Sequence, residues 1–271
     1  MKTGGQTKAS TPNLSELEQF FGGVSSRLHQ AGDTPANSIS RNEIARFFHS
    51  VGHCLARAEK QQLARDRKAA TGFNVFRFID PDENKLSDVL AFLLDPKEGH
   101  GQRDAFLRLL FQQLKLPADS RHTSTATVRR ETSTHGILKS RRRIDVLVDA
   151  GTLVAIENKV DSAEQHEQVK DYLEHLHQCT RSSTSHSALI YLSPDGRMPE
   201  SLDEGMLNRE RANGRLHCWS YSDELRVWLE ACRSECEAER IRSFLSDFIN
   251  YIEITLKRDP TTEPEAEANE K

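Results

Sequence analysis

The run from Arg143 to Lys159 constrains the fold of this chain more than any other part of it. It reads as two apolar, β-branched segments joined by a short turn that contains Gly151. Asp145 lies in the first segment, and Glu157 and Lys159 end the second. Charges are costly inside a sheet core. A hairpin that buries three of them among Ile, Val and Leu therefore indicates a functional site.

The length of the turn decides whether these charges can meet. Side chains alternate between the faces of a strand, so Glu157 and Lys159 share one face. A two-residue turn places Asp145 opposite Ile156 and separates the two carboxylates. A three-residue loop, with Gly151 at a positive φ, pairs Asp145 with Glu157, and a bulge has the same effect. The other interpretation is a half-exposed hairpin with surface charges, which the apolar residues on both faces disfavour.

Two carboxylates that share a divalent cation, with a lysine beside them, form a site that can cleave phosphodiesters. At these residues the chain resembles the PD-(D/E)XK nuclease superfamily. Asp145 takes the position of the family's Asp, and Glu157 and Lys159 take its (D/E)-x-K.

The resemblance implies an α/β, restriction-endonuclease-like core with a central mixed β-sheet flanked by helices, to which this sequence adds N- and C-terminal helices. It implies Mg²⁺, replaceable by Mn²⁺, held by Asp145 and Glu157 with the Ile156 or Asn158 backbone nearby. Lys159 would stabilise developing charge, or position and deprotonate the attacking water.

A helix is predicted directly after the hairpin. Asp161 to Glu164 has the spacing of a capping box, and an apolar stripe follows at Val169, Tyr172, Leu173 and Leu176. Gln168 and Tyr172 match a Gln-x-x-x-Tyr of RecB-like branches of the superfamily. That match implies that Gln168 orients the site or contacts nucleic acid, with Tyr172 on the nucleic-acid side. The alternative is a solvated Gln168 and a Tyr172 that belongs to the core.

A further acidic residue is expected on an upstream helix. Asp80 is the predicted N-cap and Pro81 the first helical residue. Helical spacing places Glu83 on the apolar face and Asp88 opposite to it. Glu83 is therefore the candidate third metal ligand. The alternative is that it serves only as the capping-box partner of Asp80, and the two roles can follow one another when metal binds.

Residues from Phe73 to about Leu192 resemble one uncharacterised bacterial branch of the superfamily. The motifs that carry this resemblance are Glu83-Asn84-x-x-Ser87, Leu93-Leu94-Asp95-Pro96, His100-Gly101 and Phe106-Leu107. Analogy with bacterial relatives suggests a role in defence, mobile elements or toxicity. We interpret His100 as a cap or packing residue, because the superfamily needs no histidine base.

Charge is distributed unevenly along the chain. The net charge of −4 equals that of the tail from Asp259 to Lys271, so the remainder is neutral. The segment from Arg121 to Arg143 carries a local excess of +6 and leads into the strand of Asp145. Arg141, Arg142 and Arg143 are the predicted contacts to phosphates. The predicted partner is therefore nucleic acid, with DNA favoured over RNA. A solvated charged loop is the alternative, and Glu131 is a minor candidate for a further acidic site residue.

Composition agrees with an intracellular enzyme. The chain shows neither a signal peptide nor an apolar run long enough to span a membrane. Its five scattered cysteines argue for a reducing compartment, so we predict a cytoplasmic protein. Cys232-x-x-x-Cys236 and His175-x-x-x-Cys179 have helical ligand spacing, but no second pair accompanies either, which disfavours zinc.

The chain divides into four predicted segments. Residues 1–13 are a disordered tail, and 14–72 form a helical segment with helices over 14–29 and from Asn42 to Lys68. Residues 73–258 are the nuclease-like domain, which includes a loop over 193–214, and 259–271 are an acidic disordered tail. Aromatic residues of the last helix suit either the core or a homodimer surface. The function that competes with a nuclease is a catalytically inactive nucleic-acid-binding or adaptor module on the same fold. The complete set of Asp145, Glu157 and Lys159 disfavours it.

Overall fold

The computed structural model describes residues 41–70, 72–134, 142–180 and 186–256. The chain divides into two compact units, residues 1–73 and 74–271. In the first, helix α1 spans Arg41–Ala69, which confirms the helix predicted over Asn42 to Lys68. The helix predicted over residues 14–29 and both predicted disordered tails lie outside the described residues. None of the described helices is both long and apolar enough to cross a bilayer.

The described residues of the second unit form eight helices and five strands. The helices are α2 (Val75–Ile79), α3 (Glu83–Leu94), α4 (Ala105–Gln113), α5 (Ser120–Thr123), α6 (Gln168–Thr180), α7 (Glu204–Ala212), α8 (Arg226–Glu235) and α9 (Glu239–Tyr251). The strands are β1 (Thr127–Ser133), β2 (Arg143–Asp149), β3 (Leu153–Asn158), β4 (Ser187–Ser193) and β5 (Leu216–Ser220). Two π-helical turns, Tyr221–Leu225 and Ile252–Leu256, precede α8 and follow α9.

The strands form one mixed sheet in the order β1-β2-β3-β4-β5. The first three strands are antiparallel neighbours, whereas β3, β4 and β5 run parallel. Both faces are covered. One face packs its valines and isoleucines, such as Val146 and Ile156, into a core with α3, α4, α8 and α9. The other face, with Leu147 and Ala155, packs against α6 and α7. This is the predicted central mixed sheet flanked by helices.

The C-terminal aromatic residues belong to the first of these cores. Phe248, Tyr251 and Ile252 are buried, Phe244 is partly buried, and Phe76 stacks on Phe248 at a ring distance of 4.7 Å. The stripe on the last helix is therefore a packing face of the core, which was one of its two predicted uses.

Three local predictions are wrong, and in each case the backbone polar groups have other partners. Asp80 is in the left-handed region and ends α2, whereas Asp82 is extended and caps α3 by accepting from the Lys85 amide at 2.8 Å. The residues from Asp161 to Glu164 do not open a helix, because α6 begins only at Gln168. The segment predicted as a loop over residues 193–214 contains α7.

The turn between β2 and β3 has the odd length that a shared site requires. Asp149 pairs with Leu153, so the loop consists of Ala150, Gly151 and Thr152, and Gly151 has a φ of +73°. The register of Val146 with Ile156 continues to place Asp145 opposite Glu157. The three-residue loop is confirmed and the two-residue alternative is wrong.

Replacing Gly151 tests how far the hairpin depends on this turn. A Cβ at Gly151 would lie 3.2 Å from the His122 ring on a backbone that L-residues rarely adopt. We expect Gly151→Ala to lower the free energy of unfolding by about 1 kcal/mol or more, measured by urea denaturation. Gly99→Ala is the matched control, since an added Cβ there meets nothing within 4 Å. Equal stability of both variants would show that the turn tolerates a side chain.

Candidate functional site

The carboxylate of Glu157 is the centre of a buried charged cluster at the carboxyl end of β3. Glu157 is 1% exposed. Its Oε1 lies 2.8 Å from the Lys159 ammonium and accepts a 2.6 Å hydrogen bond from the Gln168 side-chain amide. Its Oε2 is buried and has no hydrogen-bond partner among the described residues. One carboxylate oxygen is therefore satisfied and the other is not.

Asp145 stands across the hairpin from Glu157 and shares its environment. Its Oδ2 accepts from the backbone amide of Asn158 at 2.8 Å. Burial, and after it the charge of Asp145, raises the pKa of the Glu157 carboxyl to about 8, against the opposing effect of Lys159. Burial likewise raises the pKa of Asp145, while the Asn158 amide and Lys159 lower it. Two buried carboxylates repel each other, so binding of a cation between them is favourable.

Glu83 is the first residue of α3, and its carboxylate reaches over the end of β3. It accepts from the Val160 amide at 2.9 Å and from the Ser162 hydroxyl at 2.8 Å. The Ser162 hydroxyl also accepts from the Lys159 ammonium at 3.4 Å, so it links Glu83 to Lys159. Glu83 is therefore not a capping-box partner of Asp80. Its charge raises the pKa of Asp145 and of Glu157, though less than burial does.

Gln168 and Tyr172 form the inner side of the cluster. Gln168 is 5% exposed, and its amide donates to the Tyr172 hydroxyl at 3.0 Å as well as to Glu157. Tyr172 is buried, and its hydroxyl donates to the Arg143 carbonyl at 2.6 Å. The alternative of a solvated Gln168 is wrong. The predicted contact of Tyr172 with nucleic acid conflicts with its burial, whereas its alternative assignment to the core agrees with it.

Asn158 has a structural role that the sequence analysis did not predict for its side chain. Only its backbone was expected to lie near the metal. The side chain is fully buried and donates to the Glu83 carbonyl at 3.0 Å and to the Ser87 hydroxyl at 3.1 Å. It accepts from the Tyr221 hydroxyl at 2.8 Å. Asn158 therefore fixes the start of α3 against β3. The signal in the sequence was the Glu83-x-x-x-Ser87 spacing, which places both groups on one side of the helix.

The arginines of the basic segment are largely paired in the folded chain. Arg142 is bound to Asp171 at 2.5 Å, with only 14% of its side chain exposed, and Arg143 is bound to Glu131 at 2.7 Å. Arg130 contacts Asp88. Arg141 and Lys139 lie outside the described residues. Contact between phosphates and Arg141, Arg142 or Arg143 remains a prediction, and the pairing of Arg142 with Asp171 opposes its part of it.

Other candidate residues have structural partners. His100 is buried, accepts from the Gln102 amide at 3.0 Å, bonds the Asp95 carbonyl at 2.9 Å and stacks on Phe106. These contacts agree with its interpretation as a packing residue. All five cysteines are free.

The donors at the cluster fit a hard divalent cation. In the ranges that the structure describes, no three His, Cys, Asp or Glu side chains already converge as a complete ligand set, because Ser162 and the Val160 amide hold Glu83. Asp145 and Glu157 nevertheless supply carboxylate oxygens, which Mg²⁺ and Mn²⁺ prefer. The Oε2 atom of Glu157 has no hydrogen-bond partner within the described ranges, so its lone pairs are available to a cation.

A mixed five-stranded sheet flanked by helices, with this cluster at the carboxyl end of β3, defines a restriction-endonuclease-like fold. A family model described as the PD-(D/E)XK nuclease superfamily matches residues 73–250. The match covers more than half of the chain, so this protein belongs to the PD-(D/E)XK nuclease superfamily. Members are generally nucleases, typically dependent on divalent metals such as Mg²⁺. No curated protein and no solved structure matches the chain.

Tyr221→Phe tests the buried contact of Asn158. The substitution leaves the Asn158 carbonyl oxygen without its donor, so we expect the free energy of unfolding to fall by about 1–3 kcal/mol, measured by chemical denaturation. Tyr251→Phe is the matched control, since the Tyr251 hydroxyl forms no hydrogen bond with the described part of the chain. Loss of the same size in both variants would show that the Asn158 contact contributes nothing specific.

Proposed function

We propose that this protein is a Mg²⁺-dependent nuclease that hydrolyses phosphodiester bonds, with DNA favoured over RNA. The observation that carries the proposal is the buried Glu157 carboxylate, which lies against Lys159 and shares a sheet face with Asp145. Membership of the nuclease superfamily supports the same conclusion. The competing function, an inactive binding module, would keep a costly buried acidic pair without using it.

Asp145 and Glu157 would hold the cation, and Glu83 would complete its site. When bound, the cation would polarise the phosphoryl group and supply an activated water. The ligands come from two rigid strands and a helix end. Gln168 fixes the rotamer of Glu157 from α6, and the Asn158 amide fixes that of Asp145 from β3. The carboxylates are therefore oriented before any ligand arrives, which is the requirement for electrostatic preorganisation.

In this proposal Lys159 acts on the reaction and does not hold the metal. Lys159 is 6% exposed, and its ammonium is held by Glu157 Oε1 and the Ser162 hydroxyl. From this position it can stabilise negative charge on the phosphoryl group or orient the attacking water and move its proton. Glu83 and Ser162 keep the ammonium within the cluster through their shared hydrogen bond.

Removal of either principal ligand should abolish metal binding. We expect Asp145→Ala and Glu157→Ala each to eliminate Mn²⁺ binding, measured by calorimetry, and cleavage of nucleic acid in Mg²⁺ or Mn²⁺, while the fold is retained. Each change removes a hard oxygen ligand. Glu174→Ala is the control, because Glu174 is exposed on α6 and its carboxylate accepts a hydrogen bond from Gln178. Full cleavage by Glu157→Ala would refute the proposed site.

Removal of the ammonium should separate catalysis from metal binding. We expect Lys159→Met to retain Mn²⁺ affinity, since the ammonium is not a ligand, and to lower the cleavage rate by about 10²–10³. Single-turnover cleavage of linear, circular, single-stranded and RNA substrates measures this rate and the substrate preference together. Lys170→Met is the control, because Lys170 is paired with Glu167 on the exposed side of α6. A wild-type rate for Lys159→Met would reduce Lys159 to a structural counter-ion.

A further inference from the structure

Arg197 lies on the loop after β4, beside the charged cluster, and no sequence motif pointed to it. Its guanidinium donates to the Ser162 carbonyl at 3.4 Å and lies close enough to the Tyr191 hydroxyl to oppose the rise that burial causes in the pKa of that group. Ser162 is the residue whose hydroxyl joins Glu83 and Lys159, and Tyr191 is the β4 partner of Glu157. The guanidinium therefore lies next to two residues, Ser162 and Tyr191, that adjoin the charged groups of the proposed site.

The loop that carries Arg197 is fixed by several contacts. The Asp195 carboxylate accepts from the Ser193 hydroxyl and from the Arg197 amide, both at 3.2 Å. Gly196 has a φ of +73°, and a Cβ there would meet Ser220 at 3.3 Å. Farther along, the Glu164 carboxylate accepts from the Glu200 and Ser201 amides. The loop thus presents an exposed arginine on a defined backbone, which limits the ordering cost of binding.

Arg197 differs in its partners from three arginines that lie near Asp145, namely Arg130, Arg142 and Arg143. These three arginines are each bound to a carboxylate, whereas the exposed Arg197 forms no ion pair with any residue that the structure describes. A guanidinium without a carboxylate partner keeps its bidentate donors available for a phosphate.

We propose that Arg197 binds a backbone phosphate of the nucleic acid adjacent to the bond being cleaved. This inference rests on the proposed function, since it assumes that the Glu157 cluster marks the scissile position. Arg197 would hold the backbone on the side of β4, whereas Arg142 and Arg143, at the start of β2, lie on the other side of Glu157 in the sheet order. Because it contacts only the backbone, Arg197 contributes affinity without sequence preference.

The chain offers a matched control at the opposite end of the sheet. A cleft of about 1020 Å³ there is lined by Ser187 at the start of β4 and by basic side chains that include Lys115, Arg211 and His186. Arg211 is exposed and unpaired in the described ranges. Along β4, this cleft lies about 20 Å from the loop of Arg197. Helices α4 and α7 end at the cleft, and cations at helix C-termini are expected for stability alone.

The experiment is equilibrium binding of a fluorescently labelled duplex to the full chain without divalent metal, between about 50 and 200 mM salt. We expect Arg197→Gln to weaken binding about tenfold on unrelated sequences alike and to reduce the slope of log affinity against log salt by about 0.9. Arg197→Lys should keep most of the slope, because it keeps the charge. Arg211→Gln should bind like the wild type.

Two results would overturn the proposal. One is wild-type affinity and slope for Arg197→Gln. The other is a larger loss for Arg211→Gln, which would place the nucleic acid at the opposite end of the sheet. Cleavage in Mg²⁺ is measured separately. If binding depends on Arg197 but no cleavage occurs, the nuclease is refuted and the phosphate contact stands. If cleavage occurs but Arg197→Gln binds like the wild type, the phosphate contact is refuted and the nuclease stands.

Discussion

The ion pair between Glu157 and Lys159 is the interaction on which the rest of the site depends. Two opposite charges at 2.8 Å, both almost fully buried, are stable only if their remaining polar atoms also find partners. Gln168 and Ser162 supply some of those partners, and one oxygen of Glu157 is left over. The imbalance is acidic, because Asp145 and Glu83 add negative charge nearby. A cation would offset this negative charge and give Glu157 Oε2 a partner, so the arrangement favours metal binding.

Rigid neighbours keep these charges close to one another. The three-residue loop at Gly151 sets the register that puts Asp145 and Glu157 on one face. Asn158, between the two catalytic candidates in sequence, points to the opposite face and binds α3 and Tyr221. Strand alternation thus lets one tripeptide build the charged cluster with its outer residues and anchor the Glu83 helix with its middle one.

The net charge counted along the basic segment overestimates the unpaired charge that the folded segment presents at the surface. The excess of +6 between Arg121 and Arg143 suggested an extended patch facing nucleic acid. In the folded chain several of these arginines neutralise acids that are distant in sequence, such as Asp88 and Asp171. Arg142 thereby ties the start of β2 to α6, a structural use of a charge that composition cannot distinguish from a binding use. Arg197, isolated in sequence, has no such partner among the residues that the structure describes.

The sequence by itself determined the hairpin, the covered mixed sheet, the family and the set of Asp145, Glu157, Lys159, Glu83 and Gln168 that the fold brings together. These follow from local periodicity and from motifs whose residues lie close in sequence. Tertiary structure alone decided the partners of each polar group. Asp82 rather than Asp80 caps α3, because capping depends on backbone conformation. Asp161 to Glu164 forms no helix, since its polar groups bind Glu83 and the loop after β4. Ser162 and Arg197 could not be recognised, because their partners lie on segments that meet only when the sheet and its helices pack.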